Sequence, residues 1–258
     1  MFRLFMCCTM CLGLQSAVDA APPAKVKVKP EEFGIKVEPV IDLQLMNKNA
    51  IVRLKNSANL SKSANNMKML GIAFHSYHDT MNHFPANIVD KNGKVLLSWR
   101  VLLLPYLEQE ELFKQFKLNE PWDSKHNAKL IDKMPKVYQS PLVKTSQTGY
   151  TVYQRFHGKN TLLPEPNSQL SFAAITDGTS NTIMTFEGAR AVVWTKPDDL
   201  TVEEGKDIPL QGGPYFNGKA NVGFADGWVR PINWNKIDQK TLRILLDPQD
   251  GMPLPDFE

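Results

Sequence analysis

The residues from Asn49 to Met81 constrain the fold most strongly, because they contain no proline and repeat with helical spacing. Apolar or small side chains recur there at steps of three or four, which predicts one long helix with a single buried face. This stripe consists of Ile51, Leu54, Ala58, Ser61, Ala64, Met67, Gly71, Phe74, His78 and Met81. At 1.5 Å per residue the helix would be roughly 50 Å long. Its polar first half is expected to be exposed or to need a partner, and burial is expected further on for Met67, Leu70, Phe74 and Tyr77.

The rest of the sequence is divided by proline and glycine into short strands and short helices. Two turns between apolar runs, Asp90–Gly93 and Asp226–Gly227, predict β-hairpins. Further strands are predicted at residues 172–175, 182–186 and 192–194. Further helices are predicted at residues 106–116 after Pro105, from Asp123 or Ser124 to Met134, and at residues 238–246. A long helix followed mainly by strands is typical of the α+β class.

The first twenty residues have the pattern of a secretory signal peptide. Arg3 supplies a positive charge, Leu4–Leu14 is uncharged and mostly apolar, and Val18–Ala20 fits the small-x-small cleavage rule. The apolar stretch is short for a transmembrane helix, although an uncleaved N-terminal anchor is an alternative. We therefore expect export to the periplasm, the cell surface or the medium. All three cysteines of the chain, Cys7, Cys8 and Cys11, lie in this peptide. After cleavage the protein could therefore have no disulfide, thiolate nucleophile or cysteine-bound zinc.

Composition divides the remaining chain into three parts. Residues 21–48 are predicted to be an extended leader rich in proline, lysine and valine, in which Pro30 and Pro39 interrupt strand pairing. Residues 49–247 are predicted to form one domain, and residues 248–258 a C-terminal tail. The net charge of +3 is too balanced to indicate a nucleic-acid partner. No later segment has 18 consecutive apolar residues, so no transmembrane helix is expected in the mature chain.

Several longer motifs resemble the planctomycete-type family of pilin-like secreted domains, the "domain of unknown function 1559" family, over roughly residues 50–235. The resemblance depends on Ala64–Lys68, Phe74–Thr80, His83–Pro85, Ser98–Gln109, Glu120–Ser124 with His126-Asn127, Ile175–Thr182, Trp194–Pro197 and Phe224–Gly227. Within these motifs the residues that carry the match are His75, Tyr77, His78, Asp79, Phe84, Pro85, Trp99, Arg100, Pro105, Trp122, Asp177, Gly178, Asn181, Asp226 and Gly227.

The resemblance implies a pseudopilin-like fold, in which a long N-terminal helix packs on an antiparallel sheet. It implies no established activity. Two features depart from many relatives. An ordinary signal peptide and a polar stretch replace the prepilin leader and its apolar helix, which argues against assembly into a pilus. Phe216 stands where relatives often have a histidine ten residues before the Asp-Gly turn.

Two clusters are candidate metal sites. His75, His78 and Asp79, with His83 nearby, could hold zinc or another divalent ion, although such histidines more often cap helices or bond to loop carbonyls. Oxygen ligands near the turns could hold calcium, although Asp-Gly turns are usually only turns. These ligands are Asp177, Asn181, Glu187 and Asp226. No cofactor is expected, and calcium is the alternative.

Three classes of function are compatible with these patterns. The favoured one is an exported, non-catalytic structural or interaction protein with an envelope or extracellular partner, supported if the helix exposes residues 49–63. A polysaccharide- or ligand-binding module would expose two or more tryptophans on one face. A metal-dependent hydrolase would bring His75, His78 and a carboxylate into one pocket. The sequence contains no Gly-x-Ser-x-Gly elbow, P-loop or Gly-x-Gly-x-x-Gly motif.

Overall fold

A computed structural model describes residues 43–141, 148–164, 170–209 and 218–255. The chain divides into two units, residues 1–48 and 49–258, and the account below concerns the second. The predicted signal peptide and most of the predicted leader lie outside the described residues. Phe216, the departure from the family pattern, lies outside them as well. Among the helices that are described, none combines the length and apolar character needed to cross a membrane.

The long helix α1 spans Leu43–Met81, so the predicted start at about residue 49 was too late. No proline or glycine occurs between Pro39 and Gly71, and the helix therefore meets no strong breaker there. Asn82, the first residue after α1, terminates the helix, because it has a left-handed φ of 61° and donates its backbone N–H to the carbonyl of His78 at 2.7 Å.

The predicted burial of the second half of α1 is confirmed for Met67, Leu70, Phe74 and Tyr77. Residues 55–58 and 61–62 are exposed, as predicted for the polar first half. The predicted stripe was wrong at Met81, which is 49% exposed. That stripe consists mostly of steps of three, which are shorter than the 3.6 residues of a helical turn, so it winds around the helix.

The central sheet has four antiparallel strands in the order β3-β5-β7-β8. Its strands are β3 Tyr150–Gln154, β5 Ile183–Val193, β7 Lys219–Phe224 and β8 Val229–Asn233. The Asp226-Gly227 hairpin is confirmed as the connection between β7 and β8. Two predicted strands, 182–186 and 192–194, are parts of the single long strand β5. The strand predicted at residues 172–175 is instead the 3₁₀ helix Phe172–Ala174.

Two two-stranded sheets accompany the central one. The first is the predicted hairpin of β1 Ile88–Val89 and β2 Val95–Leu97. The second pairs β4 Phe156–His157 with β6 Leu200–Thr201 in parallel and was not predicted. A parallel pair joins segments that are distant in sequence, so no local turn signal announces it.

The helix predicted at residues 106–116 is broken into shorter pieces. They are the 3₁₀ helix Leu104–Leu107 and α3 Glu110–Phe113, and the short helix α2 Trp99–Leu102 precedes them. Glu108 has a left-handed φ of 58°, which ends the helical path between the two pieces. The short helix predicted after Ser124 is the 3₁₀ helix Asn127–Lys133.

The last helix, α4 Gln239–Leu246, agrees with its prediction, and Asp238 caps it by accepting the backbone N–H of Thr241 at 2.6 Å. The central sheet lies between α1 and α4. Neighbouring residues on a strand face opposite sides of the sheet, and on β5 two such neighbours contact different helices. On β5, Glu187 contacts Ser63 of α1, whereas Phe186 packs in the cluster that contains Leu242 of α4. Helices packed on an antiparallel sheet confirm the α+β class.

Candidate functional site

The motif around Trp99 and Arg100 forms a buried polar network behind the β1–β2 hairpin. Arg100 is fully buried, and its guanidinium makes a 3.0 Å ion pair with the buried carboxylate of Asp199. The same guanidinium donates to the hydroxyl of Ser98 at 2.6 Å and to the carbonyl of Tyr153 at 2.7 Å. The indole N–H of Trp99 donates to the Asp199 carboxylate as well. The polar atoms of this motif therefore bond to the protein itself.

A second buried arginine, Arg155, lies next to this network. Its backbone N–H donates to Asp199 at 3.1 Å, and its guanidinium donates to the carbonyls of Pro85 and Leu162. The guanidinium also lies 5.1 Å from the ring centroid of Phe74. Burial is the main influence on this group and lowers its pKa to about 9. Family-motif residues Phe74, Pro85, Trp99 and Arg100 thus meet around one buried pair of cations.

The histidine cluster lies at the C-terminal end of α1, and each imidazole bonds to the backbone of another segment or of a neighbouring residue. His75 Nε2 donates to the carbonyl of Ala225 at 2.9 Å, and His83 Nδ1 donates to the carbonyl of Phe84 at 2.9 Å. His78 Nε2 accepts the backbone N–H of Phe172 at 3.2 Å, so this nitrogen must be unprotonated. Burial accordingly lowers the pKa of His78.

Aromatic rings complete this cluster. The Phe172 ring lies 4.5 Å from His75 and 4.5 Å from His78 between ring centroids, and 4.7 Å from Phe84. Tyr77 is buried between His83 and Tyr106, with ring centroids at 5.7 and 5.5 Å. The imidazoles of His75 and His78 join α1 to the β7–β8 hairpin and to the loop before β5.

The remaining predicted metal ligands occupy separate places. Asp79 is exposed on α1. Both carboxylate oxygens of Asp177 accept the backbone N–H of Gly251, and the side-chain amide of Asn181 donates to the carbonyl of Asp177. The carboxylate of Asp226 accepts the backbone N–H of Trp228 at 2.8 Å within its own turn. In the part of the chain that the structure describes, no three His, Cys, Asp or Glu side chains come together as a metal site.

Glu187 was predicted near a turn, and that placement was wrong, because it lies within strand β5 and is buried. One carboxylate oxygen accepts the hydroxyl of Ser63 on α1, and the other accepts the backbone N–H of Asn221 at 2.8 Å. Tyr153 contributes a 2.7 Å bond between its hydroxyl and that of Ser63. Burial raises the pKa of Glu187, although these hydrogen bonds oppose the effect.

Most of the five tryptophans are in the interior. Trp99, Trp194 and Trp234 are buried, and Trp122 is half-buried. Trp228 is 64% exposed at the end of the β7–β8 turn. Among the described residues Trp228 is the exposed tryptophan, so the predicted face with two or more exposed tryptophans is not found there.

Trp228 belongs to an exposed patch that it shares with α1. The patch consists of Lys68, Met69, Ile72 and Trp228, and we call it the α1 patch. Met69 is 53% exposed and Ile72 is 66% exposed, one helical turn apart. The Lys68 ammonium lies 5.8 Å from the centroid of the Trp228 ring. The sequence pattern did not predict that Met69 and Ile72 form part of an exposed patch.

Close backbone packing fixes the position of this patch. A side chain at Gly71 would place its Cβ 3.2 Å from the Cα of Gly227, so the helix and the hairpin turn approach more closely than larger residues allow. The bond from His75 to the carbonyl of Ala225 ties the same helix to the same turn. The two exposed apolar residues of α1 and the exposed tryptophan are thus carried by a rigid junction.

One comparison with known proteins gives a match. Residues 61–157 match the model of a family described as "Protein of unknown function (DUF1559)", which confirms the expected resemblance for that part of the chain. The matched segment includes the histidine cluster, the Trp99-Arg100 motif and Arg155. No curated protein and no solved structure matches the chain.

Proposed function

We propose that this chain, whose residues 61–157 belong to the DUF1559 family, is an exported, non-catalytic protein that binds an envelope or extracellular protein. The observation that carries the proposal is the α1 patch, in which Met69, Ile72 and Trp228 expose apolar surface on a rigid junction. Exposed large apolar side chains grouped in one place are typical of protein contact surfaces.

The bonding of the motif residues supports a non-catalytic role. A general acid or base must be within hydrogen-bond reach of a substrate. His75, His78 and His83 instead use ring nitrogens for backbone bonds within the protein. Arg100 is fully buried and bonds to Asp199 and to Tyr153. These residues support the fold and the placement of the patch.

The chemistry of the patch favours a protein partner. Aromatic residues and methionine are enriched at protein interfaces, and the patch contains both Trp228 and Met69. Lys68 adds one cation beside the Trp228 ring. The exposed residues 55–58 and 61–62 extend the free surface of α1 away from the patch. Together they offer a helical face that a partner can cover.

Site-specific photocrosslinking in the native cell tests this proposal. A photoreactive amino acid at position 72 or 228 is expected to yield one shared covalent adduct with an envelope protein. The matched control places the photoreactive amino acid at position 91, where Lys91 is exposed in the β1–β2 turn. It is expected to yield no such adduct. Ile72→Glu is expected to abolish the adduct formed from position 228, because it places a charge in the apolar contact.

Export is measured on the same material. Mass spectrometry of the purified protein is expected to show an N-terminus at Ala21, after removal of the first twenty residues. An intact N-terminus in the cytoplasmic fraction would overturn export. The adduct could instead join two copies of this chain. If sedimentation then shows a dimer for wild type and a monomer for Ile72→Glu, the patch mediates self-association, and the proposed envelope partner is wrong.

A further inference from the structure

A basic cavity lies apart from the residues of the α1 patch, and His126 is the one residue of its described lining that belongs to a family motif. It has a volume of about 540 Å³, within the usual range for small-ligand sites. Its walls are the segment that follows α3 and the 3₁₀ helix Asn127–Lys133. The basic residues that line it are Lys114, Lys117, His126, Lys129 and Lys133. The lining found in the described chain includes no aspartate or glutamate.

Hydrogen bonds join the two walls, and those of Asn127 are partly buried. Asn127 is fully buried, and its side chain accepts the backbone N–H of Lys117 at 3.1 Å and donates to the Lys117 carbonyl at 2.9 Å. His126 Nε2 donates to the carbonyl of Gln115 at 2.8 Å. The Lys133 ammonium donates to the side-chain oxygen of Gln115 at 2.7 Å. The cavity is therefore formed before any ligand arrives, which lowers the entropy cost of binding.

The lysines differ in how far their charge is neutralised. Lys114 pairs with Glu110 and Glu111, and Lys117 pairs with Glu120, all through exposed side chains. Exposed pairs of this kind are weak and exchange readily with a ligand anion. Lys133 bonds only to a neutral amide, and Lys129 has no ion-pair partner among the described residues. Two ammonium charges therefore face the cavity without a carboxylate.

The floor of the cavity is apolar. Phe116 is 7% exposed and Leu130 is 5% exposed, and both line the cavity from below. Phe116 packs edge-on against Trp194 at 5.7 Å between ring centroids. Only an edge of each side chain is exposed, which is too little surface for a nucleobase to stack on. The exposed edges allow a limited contact with the C–H groups of a sugar ring.

The type and spread of the cations select the ligand further. No arginine lines the cavity, and arginine is the residue whose planar fork matches a single phosphate or carboxylate. Lysine ammonium groups act as separate point charges, here on both walls. This arrangement suits a ligand with several separated anionic groups rather than one compact anion. An oligosaccharide with one anionic group on each ring has that geometry.

We infer that this cavity binds an acidic oligosaccharide, with Lys129 and Lys133 contacting its carboxylate or sulfate groups and Phe116 and Leu130 contacting a sugar ring. The proposal is independent of the α1 patch and of any partner there. A ligand bound in this cavity would be recognised by charge and ring shape together.

Isothermal titration calorimetry of the purified protein tests the inference with three probes: trigalacturonate, a sulfated trisaccharide and neutral maltotriose. We expect saturable binding of at least one acidic probe and none of maltotriose. The acidic probe that binds more tightly identifies carboxylate or sulfate as the anionic group. Lys129→Glu/Lys133→Glu is expected to weaken binding by about tenfold or more, because two attractions become repulsions.

The matched control is Lys91→Glu/Lys94→Glu, which makes the same change of charge in the exposed β1–β2 turn and should bind like wild type. Circular dichroism melting curves confirm that both variants are folded. Equal binding by the two double variants would overturn the site. Inorganic sulfate binding as tightly as the acidic trisaccharides would overturn the saccharide and leave only anion binding. Maltotriose binding as tightly as trigalacturonate would overturn recognition by charge.

Discussion

The molecule carries two groups of basic side chains whose surroundings are opposite. Arg100 and Arg155 are fully buried, and between them they bond to three carbonyls, a hydroxyl and the carboxylate of Asp199. The lysines of the basic cavity are exposed, and two of them, Lys129 and Lys133, have no carboxylate partner among the described residues. The arginines are within or next to the family motifs, whereas the lysines were not singled out by any motif.

This contrast separates a structural role from a binding role. A buried cation is tolerated only when paired and hydrogen-bonded, and removing its partner is then costly. An exposed lysine contributes little to folding, so its charge remains available to a ligand. Motif residues that join distant segments are therefore expected to govern stability, and the cavity residues are expected to govern binding.

The largest effect is expected at Asp199, which serves both arginines. Asp199→Ala leaves Arg100 buried without its counter-ion and removes the acceptor of the Trp99 indole. We expect the free energy of unfolding to fall by about 3–5 kcal/mol, as for other broken buried ion pairs. Chemical denaturation followed by tryptophan fluorescence and circular dichroism measures it.

The neighbouring residue provides the control for this substitution. Asp198 pairs with Arg190 and Lys196 through partly exposed side chains, and the hydrogen bond from Arg190 lowers its pKa to about 2. Asp198→Ala is expected to cost about 1 kcal/mol or less. Similar losses for the two variants would contradict the distinction between buried and exposed pairs.

Local sequence signals predicted the parts of the fold that depend on near neighbours. The C-terminal end of α1, the Asp226-Gly227 hairpin and α4 each have a turn, cap or periodicity that is written within a few residues. The full length of β5 and the pairing of β4 with β6 depend on distant partners. No local signal predicted the break at Glu108 either, because its left-handed φ depends on how the flanking turns pack.

The same limit applies to the functional residues. The motifs identified Arg100, but the bond to Asp199 joins residues that are 99 positions apart. Ser63 carried a weak signal, since it is a polar residue one turn before Met67 on the buried face, yet its acceptor Glu187 is on a distant strand. Lysines spaced by three or four residues in two short helical segments could have indicated the cavity walls. Only the structure places those walls side by side.

A second, smaller effect distinguishes the histidine cluster from the cavity by pH. His78 must be neutral to accept the Phe172 N–H, and burial lowers its pKa below the ordinary 6.5, although the nearby Asp79 opposes this. As the pH falls through 6.5, His78 therefore binds a proton more readily in the unfolded chain than in the folded protein. The free energy of unfolding is highest above this pH and decreases below it. We expect the melting temperature to fall between pH 7 and pH 5.

Glutamine substitutions assign this decline to one histidine. His78→Gln retains an acceptor without a titrating group and is expected to flatten the pH dependence of the melting temperature. His126→Gln, at the exposed rim of the cavity, is expected to keep the wild-type profile. An unchanged slope in His78→Gln would show that another group causes the loss of stability.

The smallest effect on stability is expected where the binding proposal predicts the largest effect on affinity. Lys129→Ala/Lys133→Ala removes two exposed ammonium groups, of which only Lys133 makes a hydrogen bond in the described chain. We expect the free energy of unfolding to change by no more than about 0.5 kcal/mol. A loss comparable to that of Asp199→Ala would mean that the lysines support the fold as the buried arginines do. A negligible change in the free energy of unfolding would show that the two ammonium groups do not stabilise the fold. Because like charges at one site repel one another, this result would favour a role for the lysines in binding.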